Sequence, residues 1–169
     1  MIRTVKYAAV AALLTLGTAT PAATATTPAV PAQAAPAADM GPATLRPQVQ
    51  PKTCVDSNAN KLLYACNGND FQKWTVRDSN NDGEVRLVSK SAGTCLEANL
   101  GTSVGAGLRS CGHSENWRMT KVAGGYQFKD IWTKTCLGVD TKYIYGEDVP
   151  VRLRTFHCAL NKWQTWLIG

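Results

Sequence analysis

The chain has 169 residues, with 18 Lys and Arg against 12 Asp and Glu and a formal charge of +6. That length excludes both a peptide scaffold and a multidomain enzyme, and it allows one domain with a tail. The charge is mild for the length, so nucleic-acid binding is not expected.

The first residues have the layout of a secretory signal, to be set aside before any fold is read. Arg3 and Lys6 precede an apolar run from Tyr7 to Leu16, and Ala23-Thr24-Ala25 supplies small residues at a cleavage site. The run is well short of the ~20 residues a spanning helix needs, and no other segment is apolar enough to cross a membrane. Ala32-Gln33-Ala34 is a second cleavage candidate. Residues 1–25 are therefore read as a signal peptide and the mature protein as secreted and extracellular. From 26 to 42 the chain is almost entirely Ala, Pro and Thr. Such a stretch buries too little surface to offset its chain entropy, which predicts a disordered tether.

Residues 43–169 repeat themselves. Cys54-Val55-Asp56, Cys95-Leu96-Glu97 and Cys136-Leu137-Gly138 recur at a spacing of 41. Each is followed by a second Cys (Cys66, Cys111, Cys158) and then by Gln72-Lys73-Trp74, Glu115-Asn116-Trp117 or Gln164-Thr165-Trp166. Three features in one order in three units are the strongest signal in the chain. Short segments such as TCLEA, GLRSC, WRMTKV and YQFKDI read as strands, with Asp82-Gly83 and Gly124-Gly125 as hairpin loops. No sustained period of 3.6 appears, so helix is nearly absent. Three propeller blades would fall below the usual minimum of about four. Three units of four strands predict an all-β chain, a β-trefoil of three ~41-residue repeats. The third unit has only Leu167-Ile168-Gly169 after its Trp, so closing the barrel needs a strand from the other end of the domain, within 43–50. Alignment on the Cys sets Arg46 level with Leu87 and Phe128, leaving Leu45 as the nearest apolar anchor.

The order Cys-Leu-Asp, Cys, Gln-x-Trp, three times over, resembles the ricin B-type β-trefoil lectins and the similar modules of bacterial glycan-degrading enzymes. With the three-fold equivalence that this implies, the pairings favoured among 15 possible ones are Cys54–Cys66, Cys95–Cys111 and Cys136–Cys158. Export makes oxidation available. A zinc site would want close Cys-x-x-Cys pairs, which are absent, so no metal is expected. The three Trp are expected to meet in the shared core with their indole N–H groups hydrogen-bonded, and the Gln two residues earlier to serve the framework.

The resemblance also implies a sugar site in each unit. A carboxylate two residues after the first Cys accepts from two hydroxyls, an aromatic two residues before the second Cys stacks on the ring, and a polar pair ending at the Gln completes the site. The first unit offers Asp56, Tyr64 and Gln72, but has Phe71 where Asn is usual and Leu62 where a polar group helps; Asn67, Asn69 or Asp70 are the candidates to compensate. The second unit has Glu97 and Glu115 but Arg109 in place of the aromatic. The third keeps Phe156 and Gln164 but has Gly138 for the carboxylate, with Asp140 two residues on. Its extra segment 142–150 carries Tyr143 and Tyr145 beside Glu147 and Asp148.

Catalysis finds little support: no Gly-x-Ser-x-Gly elbow or His-Glu-x-x-His pair occurs, and nothing implies a cofactor. A carboxylate pair such as Asp56 with Asp70 is the one arrangement that could flank a glycosidic bond. The leading reading is a secreted module that binds carbohydrate of galactose or xylose type, mainly through the first repeat. The alternative is an interaction protein on the same fold, a toxin-associated subunit or protease inhibitor with decayed sugar sites, which leaves a protein partner open. A third reading, basic adhesion to anionic surfaces, is disfavoured because Lys and Arg are scattered along the sequence.

Overall fold

The computed structural model describes residues 39–58, 63–79, 83–98, 106–112, 115–144 and 147–169. The signal segment and nearly all of the tether lie outside the described residues, as do Leu62, Asp82, His113 and Tyr145 and the side chains of Tyr143, Glu147 and Asp148. The first repeat contributes β1 (Met40–Ala43), β2 (Leu45–Pro47), β3 (Thr53–Val55), β4 (Leu63–Ala65) and β5 (Trp74–Asp78). The second contributes β6 (Glu84–Ser89), β7 (Thr94–Ala98), β8 (Ala106–Ser110) and β9 (Trp117–Val122). The third contributes β10 (Gly125–Asp130), β11 (Cys136–Ile144), β12 (Glu147–Phe156) and β13 (Trp166–Ile168). Asp70–Gln72 form one 3₁₀ turn.

Antiparallel pairing runs β1–β5–β6–β9–β10–β13–β2. Only Thr44 separates β1 from β2, and it exchanges backbone hydrogen bonds with Gly169 at 2.8 and 3.2 Å. The segment 40–47 therefore acts as one barrel strand whose first half pairs with β5 and whose second half pairs with β13. This closes a six-stranded barrel. Hairpins β3–β4, β7–β8 and β11–β12 form the cap, one per repeat. This is a β-trefoil.

The barrel fills itself by strand alternation. Ala43, Val85 and Tyr126 lie opposite Trp74, Trp117 and Trp166. Two residues further on, Leu45, Leu87 and Phe128 are fully buried. Leu45, not Arg46, is thus the register equivalent of Leu87 and Phe128. The Cys alignment was one residue out because the first repeat has one more residue between its barrel strand and Cys54. Each indole Nε1–H donates to a hairpin carbonyl: Trp74 to Val55 at 2.9 Å, Trp117 to Leu96 at 2.8 Å, Trp166 to Leu137 at 3.0 Å.

The disulfides Cys54–Cys66, Cys95–Cys111 and Cys136–Cys158 each tie one hairpin, with Cα separations of 5.0, 5.0 and 4.9 Å. Loops of this size contribute about 3 kcal/mol apiece in the chain-entropy picture. The extra length of the third repeat extends its hairpin, where Ile144 pairs with Glu147 at the tip. In the second and third repeats, though not at Lys52 in the first, the residue two before the first Cys takes a positive φ. Gly93 supplies it at 64° in the second repeat, and Lys134 adopts 60° at the same place in the third. That conformation costs a residue with a Cβ about 1–2 kcal/mol.

The tether boundary moves. The sequence reading ended the tether at 42, yet Met40 and Ala43 pair with Val76 and Trp74, and Asp39 Oδ1 accepts the Asp78 amide at 2.8 Å. Nothing in Met-Gly-Pro-Ala marks a strand; the free edge of β5 makes it one, with a register irregularity that accommodates Pro42. A chain starting at Asp39 should therefore melt at the full-length temperature, and one starting at Ala43 should melt lower. One starting at Pro51 should lose several more kcal/mol, since burying a Leu such as Leu45 is alone worth about 2–5 kcal/mol. Thermal denaturation of the three truncations, read by near-UV circular dichroism, checks the order.

Candidate functional site

The site in the first repeat is built at the end of the β3–β4 hairpin. Trp74 holds the Val55 carbonyl from below, so the next residue, Asp56, leaves the strand at a fixed point. Asp56 is 5% exposed; Oδ1 accepts the Asn58 amide at 2.8 Å and Oδ2 accepts Gln72 Nε2 at 3.0 Å. An ionised carboxylate has about four acceptor positions, so roughly two stay available for hydroxyl groups.

Gln72 is fully buried and does not line the cavity. Its Nε2 also donates to Ala65 O at 2.9 Å, and its Oε1 accepts the Asn67 amide at 2.8 Å. It pins both ends of the hairpin and orients Asp56. Asn69 caps the 3₁₀ turn, its Oδ1 accepting the Gln72 amide at 3.2 Å. Above these lies an open cavity of about 190 Å³ lined by Asp56, Asn58, Tyr64, Asn67, Asn69 and Phe71. Tyr64 is 60% exposed and Phe71 39%. The arrangement offers one carboxylate, three amide side chains and two aromatic walls.

Of the residues read from the sequence, Asp56, Tyr64, Asn67 and Asn69 share this cavity, with Gln72 behind it. Asp70 is turned elsewhere, 2.9 Å from Lys90 Nζ and 3.2 Å from Lys73 Nζ. The Lys90 hydrogen bond first, then that of Lys73, holds its exposed carboxyl below the usual range. Asn58 was not singled out; the Asp-Ser-Asn run around 56–58 carries the signal of an Asx turn, in which the side chain of one residue accepts the amide two further on. Phe71 was read as a departure from the pattern and proves to be a wall of the cavity.

The other two repeats share the frame and differ at the site. Glu97 is buried, and its Oε1 lies 3.2 Å from Nε of the exposed Arg109. Glu115 Oε2 accepts the Gly112 amide at 2.7 Å, the bond that Gln72 makes to Asn67. Glu115 lacks the amide N–H with which Gln72 holds Asp56, and the guanidinium of Arg109 engages the carboxylate instead. In the third repeat Gln164 accepts the Ala159 amide at 2.8 Å and donates to His157 O at 2.9 Å, the same frame again. A Cβ on Gly138 would stand 2.9 Å from the Phe156 ring and 3.0 Å from Gln164 Cγ. Those two side chains thus occupy the space beside the carboxylate position. Asp140 Oδ2 lies 3.3 and 3.4 Å from Arg152 and Arg154 Nε. Among the described residues no cluster of His, Cys, Asp and Glu is arranged to hold a metal ion.

The fold and its hairpin-edge cavity define a β-trefoil of the lectin class. Residues 42–166 match the ricin-type β-trefoil lectin domain, and the chain belongs to that family. No curated protein sequence matches significantly. Among solved structures it is similar to the designed three-fold symmetric protein ThreeFoil, at 20% identity and TM-score 0.64 over 76% of this chain and 98% of that one. It is similar to the Haemophilus ducreyi cytolethal distending toxin, at 18% and 0.59 over 76% and 83%. It is likewise similar to the Rhizoctonia solani agglutinin, at 17% and 0.58 over 83% and 96%. At these identities the likeness is one of fold.

Gln72→Glu would set a carboxylate oxygen against both Asp56 Oδ2 and the Ala65 carbonyl, without an arginine to compensate. The variant should lose about 1–3 kcal/mol, the cost of buried groups left without partners. Urea denaturation should show this, while Gln72→Ala restores part of the loss by removing the repulsion.

Proposed function

We infer that this is a secreted carbohydrate-binding protein whose sugar site is the cavity of the first repeat. The observation that carries the reading is a contrast among three equivalent positions. In the first repeat a buried, oriented carboxylate faces an open cavity beside two exposed aromatics. In the second the carboxylate is ion-paired to Arg109, and in the third Phe156 and Gln164 pack over a glycine.

Asp56 takes two adjacent hydroxyls of a pyranose through its remaining acceptor positions. Tyr64 stacks on the apolar C–H face of the ring, Phe71 walls the opposite side, and Asn67 and Asn69 contact the outer hydroxyls. The cavity lining contains no cation, which favours a neutral sugar of galactose or xylose type. The three disulfides fit an oxidising, extracellular setting.

One shallow site with a few polar contacts should give a dissociation constant of about 0.1–1 mM, or roughly 4–5 kcal/mol. Titration with galactose, lactose and xylose, followed by NMR, should shift the backbone amides of Asn58, Tyr64 and Asn67. Asp56→Ala should abolish binding and Tyr64→Ala weaken it, whereas Glu97→Ala should leave it unchanged. Shifts confined to the surroundings of Phe156 and Asp140 would move the site to the third repeat. An absence of shifts with every sugar would replace this reading with that of an interaction protein on a trefoil scaffold.

A further inference from the structure

A second cavity, of about 200 Å³, lies on the outer wall of the barrel, away from the hairpin site. It is lined by Glu84, Arg118, Lys129, Asp130, Ile131 and Lys134. Register gathers these residues: Glu84 stands opposite Arg118, and Arg118 opposite Lys129, on neighbouring strands β6, β9 and β10. Cross-strand partners share a face, so charges far apart in sequence become one row. Two residues along β6 the row continues into Arg86, which pairs in register with Arg77 on β5. Like charges directly opposite are unfavourable without a counter-charge.

Two further observations point to a ligand. Lys134 holds the positive φ that Gly93 takes in the second repeat. The equivalence is close: each amide donates to the residue four earlier, Gly93 to Ser89 O and Lys134 to Asp130 O. A residue with a Cβ is thus kept in a conformation that glycine adopts freely, and its side chain lines the cavity. Asp130 also lines the cavity and is buried; its Oδ1 accepts from the Trp132 and Thr133 amides and the Thr133 hydroxyl. Its Oδ2 has no donor among the described residues. Buried carboxylate oxygens are seldom left so.

We propose that this cavity binds an acidic polysaccharide, one bearing carboxylate or sulfate groups on its sugar rings. Arg118 Nη2 already lies 3.4 Å from Glu84 Oε1, and Lys134 Nζ donates to Ile131 O at 2.6 Å. The ligand must therefore offer an acid group to Lys129 and to the remaining donors of Arg118 and Lys134. It must also offer hydroxyl donors to Asp130 Oδ2 (directly or through a water) and to the free oxygen of Glu84. An acidic sugar carries both on one ring. A polyphosphate such as nucleic acid has the charge without hydroxyls aligned for the two carboxylates, which repel it. The row through Arg86 and Arg77 extends the site along a polymer. This site is independent of the first-repeat cavity.

Binding of the full chain to dextran sulfate, to oligogalacturonate and to neutral dextran tests the proposal, with duplex DNA as competitor. Either acidic glycan should bind and shift the Asp130 and Lys134 amides, neutral dextran should not, and affinity should fall with salt. Sulfate and carboxylate probes separate the two acid groups. Lys134→Gly should weaken binding about fivefold, the worth of one partly screened charge contact, while the melting temperature stays the same or rises. Lys129→Gln should also weaken it, and Asp56→Ala should not. Unchanged binding in both lysine variants, equal binding of neutral dextran, or tighter binding of DNA than of either acidic glycan would overturn the proposal.

Discussion

Each repeat depends on one hydrogen bond, from a buried tryptophan N–H to a hairpin carbonyl. The three indoles fill the barrel, so their positions are set by packing. Their polar edges must find acceptors because water is excluded. The acceptors are Val55, Leu96 and Leu137, each the residue just before the carboxylate position. Core packing therefore fixes where Asp56, Glu97 and Gly138 leave their strands. The disulfide one residue further back and the Gln or Glu that grips the second Cys segment complete the same frame. The site inherits its rigidity from the core rather than from its own contacts.

On that shared frame small changes of side chain decide what a ligand meets. In the first repeat an amide donates to the carboxylate and leaves it acceptor positions toward solvent. In the second, exchanging the amide for Glu115 removes the donor, and Arg109, at the sequence place of Tyr64, takes over the carboxylate. In the third, the missing Cβ of Gly138 lets Phe156 and Gln164 pack over the position. Asp140, two residues along the strand, is engaged by two arginines instead. Three-fold symmetry of the backbone thus coexists with a site chemistry that differs in every unit. The outer wall follows the same rule: Gly93 and Lys134 share a turn, but only the lysine brings a charge to the neighbouring cavity.

Much of this was legible in the chain itself. The first Cys of each unit recurs every 41 residues, with the second Cys and the Trp following in the same order, because a trefoil repeats its covalent and core requirements. Repetition implied the trefoil and the disulfide pairing, and the departures at Arg109, Gly138 and Phe71 were visible as single letters. Other features depend on contacts between segments distant in sequence. Met40–Ala43 has no strand pattern and becomes a strand because β5 offers it an unpaired edge. Leu45, the apolar anchor expected from the sequence, is the buried residue, but its equivalence to Leu87 and Phe128 comes from barrel register and not from Cys spacing. Asp70 was drawn away from the cavity by Lys73 and Lys90, the latter twenty residues on. The basic residues read as scattered are gathered into a row by strand pairing. Local chemistry and periodicity are written along the chain, whereas register, edges and charge clusters arise only when strands meet.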